Sequence, residues 1–464
     1  MTCQTQTCCD ASLRGYQGSI STTFQKLLGV TGRTLEDYRS WISAVAQVKK
    51  ASALANEQIG LLDTEKAKAI VTACQEIIDG KLNGNFPISI YRSNGAPINA
   101  VVAEVVAKRA SELSGHTTIT IDDVNRSQAV ADTCATARSI VVYNELAKLL
   151  ESAEWFANLL EKKATEFKDV VKTGRISIRD SVPTKLGAEF NAWAQGVRRI
   201  MARIVSEQKE WTTSFFGAGE LGTGLGIDNR FAHVANDVLA TNLGRKLVLE
   251  VNTIEALGSA DKLVLAHAHI QSLGVLYWHI ARDLILLSSG PRCGIRETAF
   301  PAVAPGSSIM PGKINPTVAE MAATLADYVS ANQLSVTIGV QSVLLGIGSI
   351  STLPIKAIMD SADVLARGMK VLGNKVISGL TAFPDRARQQ AEKSLALVAV
   401  VEMVRGKEVA QKVLAYAQEN NLTCAEACIS EGIFTEEEAQ ELFNVETLAN
   451  YQKASQVIAK YKSN

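Results

Sequence analysis

The chain has 464 residues, which is too long for one compact hydrophobic core and predicts two or three domains. Lys+Arg and Asp+Glu both number 47, so the formal net charge is zero. This balance excludes the basic excess that drives nucleic-acid binding and leaves no acidic tail. The opening Met-Thr-Cys-Gln-Thr-Gln lacks a signal peptide's basic and apolar regions, and no apolar run reaches membrane-spanning length. We therefore expect a cytoplasmic protein.

Long blocks of the sequence carry apolar residues at helical spacing, with little glycine or proline. Asp63-Thr64-Glu65 is typical of a helix start. The apolar stripes are wide, which indicates burial on several sides, as in the centre of a bundle or at a subunit interface. The pattern predicts helices over residues 35–61, 63–78, 140–170, 189–207, 231–256, 260–287, 317–336 and 352–372.

Segments that interrupt the helical pattern divide the sequence into three predicted regions. Short polar stretches at 117–132 close the first region, and Ala382-Phe-Pro-Asp385 interrupts the helical pattern. The predicted domains are therefore 1–132, a long-helix core at 133–384, and a small helical domain at 385–464.

The eight cysteines are spread thinly. Cys3, Cys8 and Cys9 cluster near the start, where a metal site is the less favoured alternative to free thiols. Cys424 and Cys428 lie four apart on a predicted helix, a spacing that suits neither an ordinary disulfide nor a zinc finger. His267 and His269 are two apart on another predicted helix, so they face different sides and do not form a metal pair. We expect reduced thiols, no metal and no cofactor.

One stretch concentrates chemistry: Gly306-Ser-Ser-Ile-Met-Pro-Gly-Lys-Ile-Asn-Pro316. Its internal Pro-Gly pair predicts a turn, and its final Asn-Pro predicts an N-cap followed by the first position of a helix. Ser307 and Ser308 therefore lie on a glycine-flanked loop, while Lys313 and Asn315 lie where the loop meets the helix. A helix start with free N–H groups beside an ammonium is an anion site.

This stretch resembles the signature of the aspartase/fumarase superfamily. Further segments resemble its aspartase branch. The resemblance implies an all-α homotetramer with a central bundle, whose active sites form where loops of three subunits meet. It also implies a lyase that removes a proton from one carbon and expels a group from its neighbour, cleaving a C–N or C–O bond. The further segments are 54–63, 104–110, 123–128, 174–175, 180–183 and 222–225.

The resemblance also implies roles for single residues. Ser307 matches the catalytic base, which needs N–H groups and a cation to favour the alkoxide. Lys313 and Asn315 match the pair that binds the substrate carboxylate next to the leaving group, and Ser308 assists in holding the developing anion. Glu320 matches a glutamate that pairs with a catalytic histidine. That histidine is missing here, so a solvated or ion-paired helix residue stays an equal alternative.

Three segments depart from the family pattern. Ile176-Ser177 replaces Thr-His, Ala129-Val-Ala-Asp132 replaces Ser-Thr-Asn-Asp, and Tyr91 to Asn99 replaces a loop rich in Thr, Ser and Asn. The replacements remove hydrogen-bonding groups that hold a second carboxylate and a leaving ammonium, and unpaired burial of such groups is costly. The candidate substrate-binding residues are Asn315, Ser177, Asn99, Tyr91, Arg92 and Gln128.

These departures favour a C–N lyase whose substrate has one carboxylate and a leaving group without N–H donors. A trimethylammonium group fits because it prefers aromatic faces, such as Tyr91, or a carboxylate. Elimination therefore suggests an ergothioneine trimethylamine-lyase that releases trimethylamine and thiol-urocanate. Aspartate ammonia-lyase is the alternative hypothesis, and a non-catalytic structural tetramer is the third.

Overall fold

The computed structural model describes residues 38–82, 96–303, 307, 309–310, 313–341, 346 and 353–462. Most of these residues are α-helical, which confirms the predicted all-α class. The described helices up to residue 372 are, in chain order, α1 Arg39–Gln58, α2 Thr64–Ile78, α3 Ala96–Ser114, α4 Ile121–Val124, α5 Val130–Glu166, α6 Leu186–Glu210, α7 Phe231–Leu243, α8 Thr253–Gly258, α9 Asp261–Leu287, α10 Thr317–Gln341 and α11 Leu353–Leu372. Of these, α4 and α8 are short.

The later part of the chain has shorter helices. A π-helical turn, Gly373–Ile377, continues α11, and a 3-10 turn, Leu395–Leu397, precedes α13. These helices share a core that includes Leu397, Val401 and Val413. Their bounds are α12 Pro384–Lys393, α13 Val398–Arg405, α14 Lys407–Asn420, α15 Cys424–Ser430, α16 Glu436–Leu442, α17 Val445–Leu448 and α18 Tyr451–Tyr461.

Three two-stranded ladders accompany the described helices. β1 Val171–Ile176 and β2 Arg179–Lys185 form an antiparallel hairpin. The other ladders are two residues long. They pair β3 Thr213–Ser214 with β4 Val248–Leu249 in parallel, and β5 Thr298–Ala299 with β6 Thr381–Ala382 in antiparallel.

The chain divides into two compact units. The first unit contains Met1–Glu151, Ile200–Gly274 and Asp327–Ala366, and the second contains Ser152–Arg199, Val275–Ala326 and Arg367–Asn464. The division into three domains at 132 and 384 stays a prediction.

Local signals set several helix ends. Asp63 caps α2 by accepting a hydrogen bond from the Lys66 N–H at 2.9 Å, as its sequence predicted. The single helix predicted over 231–256 is wrong. α7 ends at Gly244, whose φ of 63° is the left-handed conformation that glycine adopts at a helix C-terminus. The following residues then pair as β4 and form α8, so long-range pairing overrides the helical pattern.

The described residues test some of the predictions made for the cysteines and histidines. Cys424 and Cys428 are free thiols, and both are buried. Burial raises the pKa of Cys424 to about 11 and that of Cys428 to about 12. The cluster at Cys3, Cys8 and Cys9 lies outside the described residues. Within the part of the chain that is described, no group of three His, Cys, Asp or Glu side chains could hold a metal ion.

His267 and His269 lie in different environments, as their spacing predicted. His267 is completely buried; its Nδ1 lies 2.7 Å from Gln333 Oε1 and its Nε2 lies 2.8 Å from Ser361 Oγ. Burial lowers the pKa of His267, and the hydrogen bond with Gln333 opposes that effect. His269 instead lies 3.4 Å from a carboxylate oxygen of Glu207. None of the described helices is long and apolar enough to cross a membrane.

The buried His267 predicts a loss of stability at acidic pH. The unfolded chain takes up a proton near the ordinary value of 6.5, whereas the folded imidazole has a lowered pKa. Stability is therefore present above pH 6.5 and is lost as pH falls below it, by up to about 1.4 kcal/mol per pH unit. Urea unfolding at several pH values should show a smaller loss for His267→Gln than for wild type. His116→Gln, at an exposed histidine, is the control; an unchanged pH dependence in His267→Gln would contradict the prediction.

Candidate functional site

The glycine-flanked signature loop folds back on itself. The Ser307 N–H donates to the Lys313 carbonyl at 3.0 Å, and the Lys313 N–H donates to the Met310 carbonyl at 3.1 Å. These bonds bring the backbones of Ser307 and Lys313 together, so the chain reverses direction between them, as the turn predicted from the Pro-Gly pair requires. The Ile309 N–H approaches Ser307 Oγ at only 3.4 Å, a long and weak contact. The serine hydroxyl is half-buried and is left with capacity for a further partner.

The helix after this loop begins at Thr317, as predicted, but Pro316 and not Asn315 takes the cap position. The Glu320 N–H donates to the Pro316 carbonyl at 3.0 Å, so Pro316 takes the cap position and α10 begins at Thr317. Asn315 therefore precedes the cap and does not occupy it. Its side chain and that of Lys313 are exposed.

The charged side chains at this helix start have no ion-pair partner among the described residues. Among the described residues, no carboxylate lies within ion-pair distance of Lys313, and the Glu320 side chain accepts no hydrogen bond. Glu320 is exposed and lies in the first turn of α10. An ammonium and an amide at a helix N-terminus provide donors for an anion.

Ser177 lies at the tip of the β1–β2 hairpin. The ladder closes at the pair Ile176 and Arg179, so Ser177 and Ile178 form the two-residue turn. Their φ values of 50° and 66° are those of a type I′ turn. Ser177 is exposed, as are the apolar side chains of Ile176 and Ile178 on either side. No hydrogen bond joins Ser177 to Ser307 or Lys313 in the described part of the chain.

A buried ionic cluster fixes the base of this hairpin. Glu297 has no exposed surface, and both of its oxygens bind the Arg175 guanidinium, at 2.8 and 3.1 Å. Lys172 Nζ lies 3.3 Å from Glu297 and 2.8 Å from Glu189. Burial raises the pKa of Glu189, and the Lys172 ammonium opposes that rise. Arg175, which belongs to a segment that resembles the family, is thus engaged in holding the fold.

Gly174 next to it allows the hairpin to close. A Cβ at this position would lie 2.5 Å from the Val182 carbonyl oxygen, so only glycine fits without moving the backbone. Sequence reasoning missed Glu297 because nothing near it in the chain marks it as a partner of Arg175.

Two candidates lie in the first unit, and both are buried or half-buried. Gln128 donates from Nε2 to the Val124 carbonyl at 2.8 Å, and its oxygen lies 3.4 Å from the Thr133 hydroxyl. These bonds occupy the amide locally. Asn99 is 4% exposed, and its Oδ1 has no hydrogen-bond partner among the described residues. Tyr91, Arg92 and Ser308 lie outside the described residues.

Asp132 is a residue that the sequence analysis quoted without giving it a role. Its carboxylate accepts the Ala129 N–H and the Gly219 N–H, both at 3.0 Å. Burial raises its pKa to about 7, and the hydrogen bonds from Ala129, Gly219 and Thr133 oppose the rise. α5 therefore begins at Val130, ten residues before the predicted start at 140, because Asp132 stabilises its first turn.

Comparison with known proteins identifies relatives along almost the whole chain. A family profile described as a lyase matches residues 18–330. The chain is 32% identical over 448 residues to fumarate hydratase class II of Chlamydia caviae, covering 93% of this chain and 97% of that protein. It is 32% identical over 410 residues to aspartate ammonia-lyase of a Bacillus species, covering 87% and 88%. A crystal structure of fumarate lyase:delta crystallin from Brucella melitensis, bound to cobalt, superimposes with a TM-score of 0.88 at 31% identity, covering 93% and 95%.

These relatives overturn the expected ergothioneine trimethylamine-lyase. The chain matches fumarate hydratases class II of several bacteria besides the one aspartate ammonia-lyase named above, so the aspartase alternative is not the best match either. The expected substrate was wrong because the loss of side-chain donors at three segments does not exclude donors from other positions, including backbone N–H groups, which a sequence does not reveal.

Disrupting the ionic cluster should destabilise the fold without changing the chemistry of the signature loop. Glu297→Gln should lower the free energy of unfolding by about 3 kcal/mol, because the partly buried Arg175 loses its carboxylate partner and the buried Lys172 loses one of two. Denaturant unfolding measures it. Glu446→Gln removes an ion pair with Arg388 whose partners are both half-exposed, and should cost less than about 1 kcal/mol. Equal effects from the two variants would refute the special role of Glu297.

Proposed function

We infer that this chain, which belongs to the aspartase/fumarase superfamily of lyases, is a hydro-lyase that interconverts fumarate and malate. The observation that carries this proposal is the similarity to fumarate hydratase class II over 93% of this chain and 97% of the relative. The cytoplasmic location expected from the sequence stays a prediction.

The signature loop supplies the proposed chemistry. In the dehydration direction, Ser307 removes a proton from the carbon next to a carboxylate, and the electron pair moves into that carboxylate. The C–O bond on the neighbouring carbon then breaks, and the departing oxygen leaves as water after it gains a proton. Lys313 and Asn315 bind the other carboxylate, next to the leaving group, and hold the substrate in the orientation that the proton transfer requires.

The backbone geometry supports these roles. The hydrogen bond from the Ser307 N–H to the Lys313 carbonyl keeps the backbones of these two residues in one closed turn. A neighbouring ammonium favours the alkoxide form of serine, which is needed because the hydroxyl is a poor base. Since no described carboxylate pairs with Lys313, its charge is available to the substrate.

Hydration assays test the activity directly. The purified chain should consume fumarate and form malate. Loss of the ultraviolet absorbance of the conjugated double bond measures the consumption of fumarate, and chromatography identifies the product. Aspartate is the comparison substrate. Turnover of aspartate without turnover of fumarate or malate would overturn the proposal.

Variants in the loop separate chemistry from binding. Ser307→Ala should lower kcat by about 10²- to 10⁴-fold because the base is removed. Lys313→Met should mainly raise KM because a carboxylate contact is lost. Ser455→Ala and Lys453→Met, at exposed positions of α18, are the matched controls and should behave as wild type. Wild-type kcat in Ser307→Ala would exclude serine as the base.

We also propose that the chain assembles as a homotetramer. One face of α10 is exposed and apolar at helical spacing, with Met321, Tyr328, Leu334 and Ile338 between 43% and 63% exposed. A monomer seldom leaves such a stripe in water. The exposed Lys313 and Asn315 also need walls that exclude water before their charges act strongly, and neighbouring subunits would provide them.

Light scattering tests the assembly. The wild-type chain should have the mass of four subunits at micromolar concentration. The double variant Leu334→Glu/Ile338→Glu should dissociate, because burying two carboxylates at an interface is unfavourable. Ile429→Glu, at an exposed apolar residue of α15, should remain assembled. A wild-type monomer would refute the proposal.

A further inference from the structure

The first turns of α5 carry a stripe of side chains that leads from the surface of the first unit to a buried arginine. Ala131, Cys134 and Arg138 lie three and four residues apart, so they share one face of the helix. Ala131 and Cys134 are half-buried. From Asp132 to Val142 every other side chain is buried, and Arg138, at 8% exposed, retains the largest exposed fraction among them. The accessible surface along this part of the helix therefore ends at Arg138.

The guanidinium of Arg138 has no partner in the described part of the chain. No hydrogen bond or ion pair joins it to any of the described residues. Its nitrogens differ from Nε and Nη2 of Arg245, which are unpaired and fully enclosed, because they keep accessible surface. The N–H donors of Arg138 can therefore reach a partner that comes from outside the chain.

An unpartnered cation at this depth is unfavourable for folding. Burial lowers the pKa of Arg138 to about 10, so the guanidinium is still charged at neutral pH. Buried charges in proteins are normally paired or hydrogen-bonded. Asp132 and Glu220 interact with the neighbouring Cys134, but no carboxylate among the described residues acts on Arg138. A buried charge without a partner of its own is typical of a group that is kept for a ligand.

We propose that Arg138 binds the carboxylate of a small organic acid that enters along this stripe. A planar guanidinium offers paired N–H donors that match the two oxygens of a carboxylate. A doubly charged phosphate group is disfavoured, because the carboxylates of Asp132 and Glu220 near Cys134 repel it more strongly than a single charge. Ala131 and Cys134 line the way to Arg138 with small, weakly polar side chains, which favours a short aliphatic tail.

A carboxylate can reach Arg138 from two sources, a free acid or an acidic side chain of a second copy of the chain. The free acid is favoured by the burial of this stretch of α5. A side chain anchored to another backbone would have to pass Ala131 and Cys134, which are themselves half-buried, before it met the guanidinium.

Isothermal titration calorimetry of the full chain with butyrate tests the site. Butyramide, which has the same shape without the charge, is the matched ligand, and sodium chloride at equal ionic strength controls for screening. The wild type should bind butyrate at least about tenfold more tightly than butyramide, because only butyrate forms charge-assisted hydrogen bonds. Equal affinities for the two ligands, or no binding of either, would overturn the proposal, and this measurement needs no variant to fold.

Alkylation of Cys134 locates the bound acid. Iodoacetamide should modify Cys134 more slowly when butyrate is present, because the aliphatic tail covers the thiol; mass spectrometry measures the rate. Cys293, an exposed thiol of the second unit, is the internal control and should react at the same rate with and without butyrate. Butyrate binding that leaves the rate at Cys134 unchanged would place the acid elsewhere and refute the role of Arg138.

Arg138→Met distinguishes a binding arginine from a structural one. The variant should bind butyrate about 10- to 100-fold more weakly, because the charge-assisted hydrogen bonds are lost. It should unfold at the same temperature as wild type or a higher one, because an unpaired buried charge has been removed. Arg203→Met, at an exposed arginine of α6, should leave both properties as in wild type.

Two results with Arg138→Met would assign the arginine to a second copy of the chain and overturn the free-acid site. One is a lower unfolding temperature, and the other is a smaller mass than that of wild type in light scattering. The inference goes beyond the proposed hydro-lyase function and does not depend on it. None of its measurements requires turnover, so their failure would leave that proposed function intact.

Discussion

The buried carboxylate of Glu297 is the constraint on which the second unit depends. Its side chain forms ion pairs with Lys172 and Arg175 at the base of the β1–β2 hairpin, and Glu189 supplies the second negative charge. Its backbone is equally engaged, since its N–H donates to the Leu287 carbonyl at the end of α9, at 2.9 Å, and its carbonyl accepts the Phe383 N–H, also at 2.9 Å. One residue therefore fixes a helix end, a hairpin and the entry to α12.

A buried ion pair of this kind stabilises less than its short distances suggest, because desolvating three charges opposes their attraction. Its main consequence is geometric. Removing any one partner leaves an uncompensated charge, so alternative arrangements of the hairpin are strongly disfavoured. This rigidity suits a protein whose proposed catalytic serine and lysine lie on an exposed loop.

The first unit contains two buried ionisable side chains, His267 and Asp132, whose pKa values are shifted by burial in opposite directions. His267 is held neutral by burial between Gln333 and Ser361, whereas Asp132 is poised between its two forms. Proton uptake by His267 would lower the stability of the fold at acidic pH. Neither group belongs to the signature loop.

The sequence by itself determined the features that depend on neighbouring residues. Helical periodicity identified the all-α class and most long helices, Asp63 identified a helix start, and the grammar of residues 306–316 identified the family. It did not determine the break after Leu243 or the start of α5, because pairing with β3 and capping by Asp132 involve distant segments. It misdirected the substrate, because side chains can be read from a sequence but free backbone N–H groups cannot. Only the tertiary structure brought Arg175 to Glu297 across 122 positions and Asp132 to Gly219 across 87, because burial of charge depends on which segments pack together and not on their order in the chain.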